Sequence, residues 1–348
     1  GSLKPISLTE AVATLSGNIM EKDLAGVEWL ASGRSANFGA AKSFGESIAG
    51  KTGAHIFKGK QALHEGANYF WLSLKLSEQA DIDHILKASC AYLRFSDGKT
   101  HKPQSITGAA HRLGVAVRQG GQGGVNTCRI PGLATTPKGT LIGVYDLRYR
   151  GGGDLPGDID VGMSRSTDGG RTWEPTRAIM DMGRAAKWRY DGIGDPAVLV
   201  DRNTGTIWVA ATWSHGNRSW AGSGPGMKPH ETGQLMLVRS DDDGVTWSKP
   251  INITEQIKKP EWCFILQGPG KGITMADGTI VFAAQYQDPP AKRRLPHSTI
   301  IFSRDHGETW HVGTGAFDDT TEAQVAEIEP GVLMLNCRYN RQSRRVVM

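Results

Sequence analysis

The stretch STDGGRTW, Ser166–Trp173, follows the pattern Ser-x-Asp-x-Gly-x-Thr-Trp, and this pattern occurs three times in the 348-residue sequence. It returns as SDDDGVTW at Ser240–Trp247 and as SRDHGETW at Ser303–Trp310. An aspartate side chain can accept hydrogen bonds from backbone N–H groups a few residues later, glycine permits an unusual backbone, and tryptophan covers an apolar face. The repeat therefore predicts three turns of one kind, in which the aspartate is structural rather than catalytic.

A second motif alternates with the first. Four segments begin with a glycine turn and continue as an alternating strand of β-branched and aromatic residues. Their sequences are PKGTLIGVYDLRY, NTGTIWVAATWSH, ADGTIVFAAQYQD and EPGVLMLNCRYNR. Each of the first three is followed by one copy of the aspartate turn. Such irregular but recurrent sheet units favour the blades of a β-propeller over a single sandwich.

The beginning of the chain contains neither motif. Segments such as HEGANYFWLSLKL and ILKASCAYLRFSDG alternate as strands do. We therefore expect an all-β protein of two domains, with a small β-sandwich in residues 1–110 and the propeller in residues 111–348.

Composition argues against several classes of function. The net charge is only +5, and the sequence has neither a long Lys/Arg run nor an aromatic RNA-binding signature, so no nucleic acid partner is expected. The four cysteines are far apart and form no CxxC pair, which argues against zinc and thioredoxin-type redox sites. No apolar run is long enough to span a membrane. We expect no metal and no cofactor.

Polar side chains end the four glycine-led strands, which we interpret as the inner strands of the blades. Ligands of propellers bind where such strands end, at one mouth of the central channel. The strand ends carry Arg148, then Trp213 and His215, then Gln285 and Gln287, then Arg338 and Asn340. A further arginine, Arg129 in CRIPGL, opens the domain. Arginines from separate blades repel one another unless an anion lies among them, and a guanidinium binds a carboxylate through two parallel bonds. The pattern predicts a ligand with a carboxylate.

The motifs together resemble those of a known family. Arg-Ile-Pro at the start of the propeller, the run DLPGDIDVGMSRSTDGGRTW, and a Glu and an Arg sixteen residues apart in TTEAQVAEIEPGVLMLNCR are similar to the bacterial sialidases (exo-α-neuraminidases) of glycoside hydrolase family 33. The resemblance covers His111–Met348 and is especially close to secreted gut-bacterial sialidases. It implies a six-bladed propeller preceded by a carbohydrate-binding-like β-sandwich, and a periplasmic or secreted enzyme.

The resemblance also implies roles for individual residues. The substrate would be bound by Arg129 and Arg338 at its carboxylate, by Arg148 and Asp195 beside the 4-substituent of the sugar, and by Trp213 at the N-acetyl group. Asp154 would be the acid/base, and Glu322 would polarise the nucleophile. Taken alone, Asp154 could equally be a solvated loop residue, Asp195 a turn-former before Pro196, and Trp213 a core residue.

The implied reaction is hydrolysis of terminal α-linked sialic acids on glycoproteins, glycolipids and oligosaccharides, with retention. The anomeric carbon already bears a carboxylate, so this family uses a tyrosine nucleophile instead of a carboxylate. The family's third arginine and its tyrosine have no counterpart before the chain ends, ten residues after Arg338. We therefore expect this piece alone to be a weak or inactive, incomplete sialidase. A non-catalytic sialic-acid-binding propeller and a hydrolase of neutral glycans are the alternative hypotheses.

Overall fold

A computed structural model describes residues 5–103, 109–183 and 191–348. Contacts between Cα atoms divide the chain into two units, Gly1–Ala116 and Val117–Met348, whereas the sequence placed the boundary near Ala110. Within the described ranges the regular structure is almost entirely β, and the α-helical part is the single turn α1 (Thr254–Ile257).

The first unit is a small sandwich of two sheets. Its strands are β1 (Ser7–Gly17), β2 (Leu24–Gly33), β3 (Lys42–Ser43), β4 (Gly53–Ala62), β5 (Tyr69–Leu76), β6 (Ile85–Phe95), β7 (Thr100–His101) and β8 (Ala109–Arg112). One sheet has the order β4-β1-β6, with β7 and β8 both paired with β6, and the other has the order β3-β2-β5. Apolar side chains of both sheets, such as Leu15 and Trp29, share one core. This arrangement agrees with the predicted sandwich.

The second unit contains four sheets that follow one another along the chain. The first consists of β9 (Thr127–Thr135), β10 (Leu141–Arg148), β11 (Ile159–Ser166) and β12 (Arg177–Met180). The second consists of β13 (Ile193–Val200), β14 (Ile207–Trp213), β15 (Gln234–Ser240) and β16 (Ile251–Asn252).

The remaining strands form the other two sheets. They are β17 (Phe264–Gln267), β18 (Gly270–Lys271), β19 (Ile273–Thr274), β20 (Ile280–Gln287), β21 (Pro296–Ser303), β22 (His311–Val312), β23 (Thr320–Glu329), β24 (Val332–Tyr339) and β25 (Arg345–Val347). The third sheet has the order β17-β20-β21-β22 with β19 also on β20, the fourth has the order β23-β24-β25, and β18 crosses to pair with β13. These sheets are propeller blades, as predicted. The described residues form four of them, and the count of six stays a prediction.

The four glycine-led strands are not the innermost strands, which corrects the interpretation made from the sequence. They are β10, β14, β20 and β24, and each lies between two other strands of its sheet. Each pairs on one side with an earlier strand, which is β9, β13, β17 or β23. Of these, β9, β17 and β23 are edge strands, β13 also pairs with β18, and β9 contacts β13 of the next sheet. The glycine turn joins the earlier strand to the glycine-led strand in the first, second and fourth sheets, and joins β19 to β20 in the third. The repeated pattern therefore identified the neighbour of the innermost strand.

Apolar side chains hold adjacent sheets together. One cluster joins the second and third sheets through Trp208, Phe282 and Trp310, which are almost completely buried. The Trp208 and Trp310 rings meet edge to face with centroids 5.9 Å apart. A second cluster joins the first and second sheets. Burial of both faces explains why β10, β14 and β20 read as nearly continuous apolar runs.

The three aspartate turns have one geometry. In the first, Ser166 Oγ donates to Asp168 Oδ1 at 2.9 Å, and Gly170 N donates to Ser166 Oγ at 2.9 Å. Thr172 donates from N to Asp168 Oδ1 at 2.9 Å and from Oγ1 to Oδ2 at 2.7 Å. The same four bonds recur around Asp242 and Asp305. The predicted structural role of the aspartates is confirmed.

In the second and third turns, the residue after the conserved aspartate contacts the preceding sheet. Asp243 accepts bonds from Thr140 Oγ1 at 2.7 Å and from Arg165 Nη2 at 2.9 Å, both in the first sheet or its turn. His306 Nδ1 lies 2.7 Å from Asp201 Oδ2, which follows β13. The turns therefore fasten neighbouring sheets as well as closing their own hairpins.

Candidate active site

Three strands, β9, β13 and β23, carry a β-bulge at the end of the propeller opposite the aspartate turns. The register of β9 shifts at Ile130 and Pro131, that of β13 at Asp195 and Pro196, and that of β23 at Glu322. A bulge redirects the side chains around it and is common beside active sites. Three of the predicted site residues lie within a bulge or directly beside one.

Arg129 and Arg148 converge on one carboxylate. Arg129 Nη1 donates to Asp154 Oδ1 at 3.2 Å, and Arg148 Nη1 donates to the same oxygen at 2.7 Å. Both groups also donate to the carbonyl oxygen of Gly152, at 3.0 and 2.8 Å. Arg129 belongs to β9 and Arg148 to the end of β10, and antiparallel pairing sets Arg129 opposite Asp146, two residues before Arg148. The two strands thus place two cations where they can share an anion.

A buried ion pair with Asp146 fixes the orientation of the Arg148 side chain. Arg148 donates from Nε and Nη2 to Asp146 Oδ2 at 3.0 and 2.7 Å. The Arg148 side chain is 2% exposed and that of Asp146 is 1% exposed. Burial raises the pKa of Asp146 to about 6, although the bonds from Arg148 favour its charged form. Breaking such a buried pair leaves an uncompensated charge, so the pair holds the guanidinium in one orientation.

Two hydrogen bonds of its backbone fix the position of Asp195. Its N–H donates to Asp146 Oδ1 at 2.9 Å, and its carbonyl oxygen accepts a bond from Gln267 Nε2. The backbone is left-handed, with φ of 59°. Burial is the main reason that the pKa of Asp195 is raised to about 7, and the negative fields of Asp146, Asp154 and Glu322 add to it. The carboxyl titrates near neutral pH, as groups at functional sites often do.

Glu322 and Arg338 form an exposed pair across β23 and β24, with Arg338 Nη1 donating to Glu322 Oε2 at 2.9 Å. The negative charge of Glu322 is one of the charges that raise the pKa of Asp195. Hydrogen bonds therefore join four of the seven predicted residues: Arg129 and Arg148 share Asp154, and Asp146 links Arg148 to Asp195. Glu322 and Arg338 form a separate hydrogen-bonded pair.

Trp213 belongs to a neighbouring group. Its Nε1 donates to Asp191 Oδ1 at 2.9 Å, and His215 Nδ1 lies 2.8 Å from the same oxygen. The Trp213 side chain is only partly buried, and its ring lies 5.5 Å from that of His215. Its contact with an N-acetyl group stays a prediction.

Comparison with known proteins identifies the family. Residues 130–348 match the family described as "BNR repeat-like domain", and residues 3–99 match the "N-terminal domain of BNR-repeat neuraminidase". The chain belongs to the BNR-repeat neuraminidases, or sialidases. It is 48% identical over 299 residues to a "Sialidase" of Bacteroides fragilis (strain YCH46), an alignment that covers 84% of this chain and 54% of that protein. It is 34% identical over 223 residues to a "Sialidase" of Paraclostridium sordellii, covering 62% of this chain and 54% of that protein.

A solved sialidase structure agrees with this assignment. The "Hadza microbial sialidase Hz136" superposes with a TM-score of 0.68 and 44% identity, covering all of this chain and 72% of that one. This chain spans about half the length of the curated relatives it matches. In the part that the structure describes, no helix is long and apolar enough to cross a membrane, and no group of three or more His, Cys, Asp or Glu side chains could hold a metal ion.

Sequence reasoning missed Asp146 and Asp191. Asp146 connects Arg148 to Asp195, and Asp191 positions Trp213. Asp146 could have been found from its spacing, because residues two apart in a strand point to the same face. Asp191 lies outside any strand, so no periodicity marked it.

Proposed function

We propose that the protein is an exo-sialidase that hydrolyses terminal α-linked sialic acids of glycoproteins, glycolipids and oligosaccharides with retention. The observation that supports this most directly is the shared contact of Arg129 and Arg148 with one carboxylate oxygen. This contact holds Asp154, the proposed acid/base, beside Arg129, whose side chain is 46% exposed and can bind a ligand carboxylate. Each charge-assisted bond contributes about 1.5–3 kcal/mol.

The catalytic roles follow from charge and position. The carboxylate of the sugar binds Arg129 and Arg338, which keeps it in place while positive charge develops on the ring. Asp154 gives a proton to the glycosidic oxygen as the bond to the anomeric carbon breaks, and later takes a proton from water. Glu322 accepts the proton of the tyrosine hydroxyl that this family uses as its nucleophile, as that oxygen displaces the leaving group, and returns the proton when water displaces the tyrosine. Two displacements at one carbon give retention.

Other residues shape the sugar pocket under this proposal. Asp195 and Arg148 bind the side of the sugar that bears the 4-substituent, and Trp213 contacts the N-acetyl group. A titration of Asp195 near neutral pH would then make sugar affinity depend on pH. We also propose a periplasmic or secreted location, where sialylated glycans occur.

The test is release of a fluorophore from a 4-methylumbelliferyl sialoside, with Arg338→Ala compared with Arg341→Ala. The two arginine side chains are equally exposed, at 58%, but Arg341 pairs with Asp319. We expect Arg338→Ala to lower kcat/KM by about 10- to 100-fold, the equivalent of one charge-assisted bond. The control should keep its rate. Equal rates in the two variants would contradict the proposed role of Arg338.

One observation favours binding without catalysis as a second candidate. Among the described tyrosines of the second unit, the hydroxyls of Tyr145 and Tyr149 bond elsewhere, Tyr286 stacks on Trp262, and Tyr339 packs against Phe317. Tyr190 lies outside the described residues. Binding of sialic acid without fluorophore release would support this candidate, and turnover at ordinary rates would exclude it.

A further inference from the structure

Asp195 has a backbone conformation that its own sequence disfavours. Its φ of 59° lies in the left-handed region, which a residue with a Cβ atom seldom adopts. The next residue is Pro196, and a proline shifts the residue before it toward extended backbone with negative φ. Strained residues of this kind persist only where the surrounding structure fixes them, and they are frequent at functional sites. Contacts with neighbouring strands must therefore hold Asp195 in place.

Two bonds from other sheets fix the backbone of Asp195 on both sides of its Cα atom. Its N–H donates to Asp146 Oδ1 of the first sheet at 2.9 Å, and its carbonyl oxygen accepts a bond from Gln267 Nε2 of the third sheet. Gln267 is the last residue of β17 and is fully buried. Without the bond from Gln267, the backbone could relax toward the extended conformation that Pro196 favours.

A second buried bond sets the orientation of the Gln267 amide. Thr212 Oγ1 donates to Gln267 Oε1 at 3.0 Å, and neither residue is exposed. With Oε1 directed toward Thr212, Nε2 faces the carbonyl oxygen of Asp195. The opposite orientation would place two carbonyl oxygens against each other in the interior, where an unpaired acceptor is costly. The amide therefore has one favourable orientation, in which it donates to Asp195.

We propose that Gln267 is a positioning residue for Asp195, and that it directs the Asp195 carboxyl group toward the 4-hydroxyl group of the bound sugar. This inference rests on the proposed function, from which it takes the contact between Asp195 and that side of the sugar. Rotation about a backbone bond changes the direction of the side chain, so a bond to the backbone controls where the carboxyl group points. Gln267 is itself fully buried, so it acts on the sugar only through Asp195.

The first test follows the Asp195 backbone without any sugar. Hydrogen exchange of individual amides, measured by mass spectrometry, would compare the full chain with Gln267→Met, which keeps the side-chain length and removes the amide. The N–H of Asp195 should exchange at least several-fold faster in this variant, while that of Leu199 in the same strand keeps its rate. An unchanged rate at Asp195, or an equal rise at Leu199, would overturn the proposal.

The matched control for this test is Gln324→Met. Gln324 Nε2 also donates to a backbone carbonyl oxygen, that of Pro269, at 2.6 Å. The control therefore removes the same kind of bond without a contact to Asp195, and exchange at Asp195 should stay at the wild-type rate. A rise as large as that in Gln267→Met would overturn the proposal.

Thr212 provides a second pair of variants, which covers the case that Gln267→Met does not fold. Thr212→Val has nearly the same shape but cannot orient the Gln267 amide, so exchange at Asp195 should again be faster than in the wild type. Thr212→Ser keeps the hydroxyl group and should restore the wild-type rate. Equal exchange at Asp195 in these two variants would contradict the proposed role of the amide.

The second test measures whether the loss concerns the 4-hydroxyl group. Calorimetry would compare the binding of N-acetylneuraminic acid and of its 4-deoxy analogue. Gln267→Met should bind the acid about 3- to 10-fold more weakly than the wild type, the equivalent of one hydrogen bond, and should bind the analogue as the wild type does. Equal losses for both sugars would show a general effect on the pocket and overturn the inference. An absence of binding in every protein would overturn the proposed function and leave the exchange rates to decide the inference.

Discussion

The environments at the two ends of the propeller strands shift the pKa of aspartate in opposite directions. At the turn end, Asp168, Asp242 and Asp305 accept hydrogen bonds from their own turns, and their pKa values are lowered to about 2. At the site end, burial raises the pKa of Asp146 to about 6 and that of Asp195 to about 7. Local N–H and O–H donors stabilise a carboxylate, whereas burial beside other carboxylates destabilises it. The turn end is built for stability, and the site end keeps groups that can change charge.

The largest expected effect tests whether the buried ion pair of Asp146 and Arg148 stabilises the site end. Arg148→Met should lower the free energy of unfolding by about 3–5 kcal/mol, because Asp146 would remain buried without its cation. Urea unfolding followed by circular dichroism would measure this change. Arg150→Met is the control, since Arg150 forms an exposed pair with Asp158. If both variants lost the same stability, the pair would not be the feature that distinguishes the site end.

The next prediction concerns the turn end. Gly307 has φ of 95°, and a Cβ atom there would overlap the buried Trp208 ring. Gly307→Ala should therefore cost about 2–4 kcal/mol through strain and overpacking. Gly331→Ala tests strain alone, because Gly331 has φ of 79° and nothing within 4 Å of an added Cβ. The control should cost about 1 kcal/mol. A cost at Gly307 no greater than at Gly331 would show that the turn end tolerates changes in packing.

Changing pH should affect the two ends in opposite directions. The folded-state pKa of Asp195 is raised to about 7, so the wild type loses stability as pH rises from about 4 through 7. Asp195→Asn should therefore become more stable than the wild type, by on the order of 2 kcal/mol at pH 8. Asp305 has a lowered pKa of about 2, so its contribution is present above pH 4 and lost on acidification toward pH 2. The deficit of Asp305→Asn should disappear over that range. Thermal unfolding of the wild type and both variants between pH 2 and 8 would measure these two pH dependences. Stability differences from the wild type that did not change with pH would contradict the comparison.

The smallest effect concerns one hydrogen bond. Trp213 Nε1 donates to buried Asp191, whereas Trp247 Nε1 is buried without a partner among the described residues. Trp213→Phe should therefore cost about 1 kcal/mol more than Trp247→Phe, because only the first change removes a hydrogen bond. Urea unfolding of both variants measures the difference. The opposite order would show that packing outweighs polar contacts at this position.

The turn end was more accessible to sequence reasoning than the site end. Each turn is closed by residues within eight positions, so the pattern Ser-x-Asp-x-Gly-x-Thr-Trp contains its own explanation. The edge strand β9 was missed because its bulge at Ile130 breaks the alternation that marks a strand. Residues that resembled a family motif were found, but Asp146 was not singled out. The contact of Asp154 with both arginines depends on the path of a glycine loop, which no local pattern specifies.

The contacts that Asp243 and His306 make with the preceding sheet have a consequence for how the propeller can lose its structure. A hairpin turn that is tied to its neighbour cannot open without releasing that neighbour as well. Adjacent sheets should therefore unfold together rather than singly, even though each is a separate hydrogen-bonded ladder. At the opposite rim, Asp195 likewise links the first sheet to the third, through Asp146 and Gln267, so these three sheets are joined at both ends.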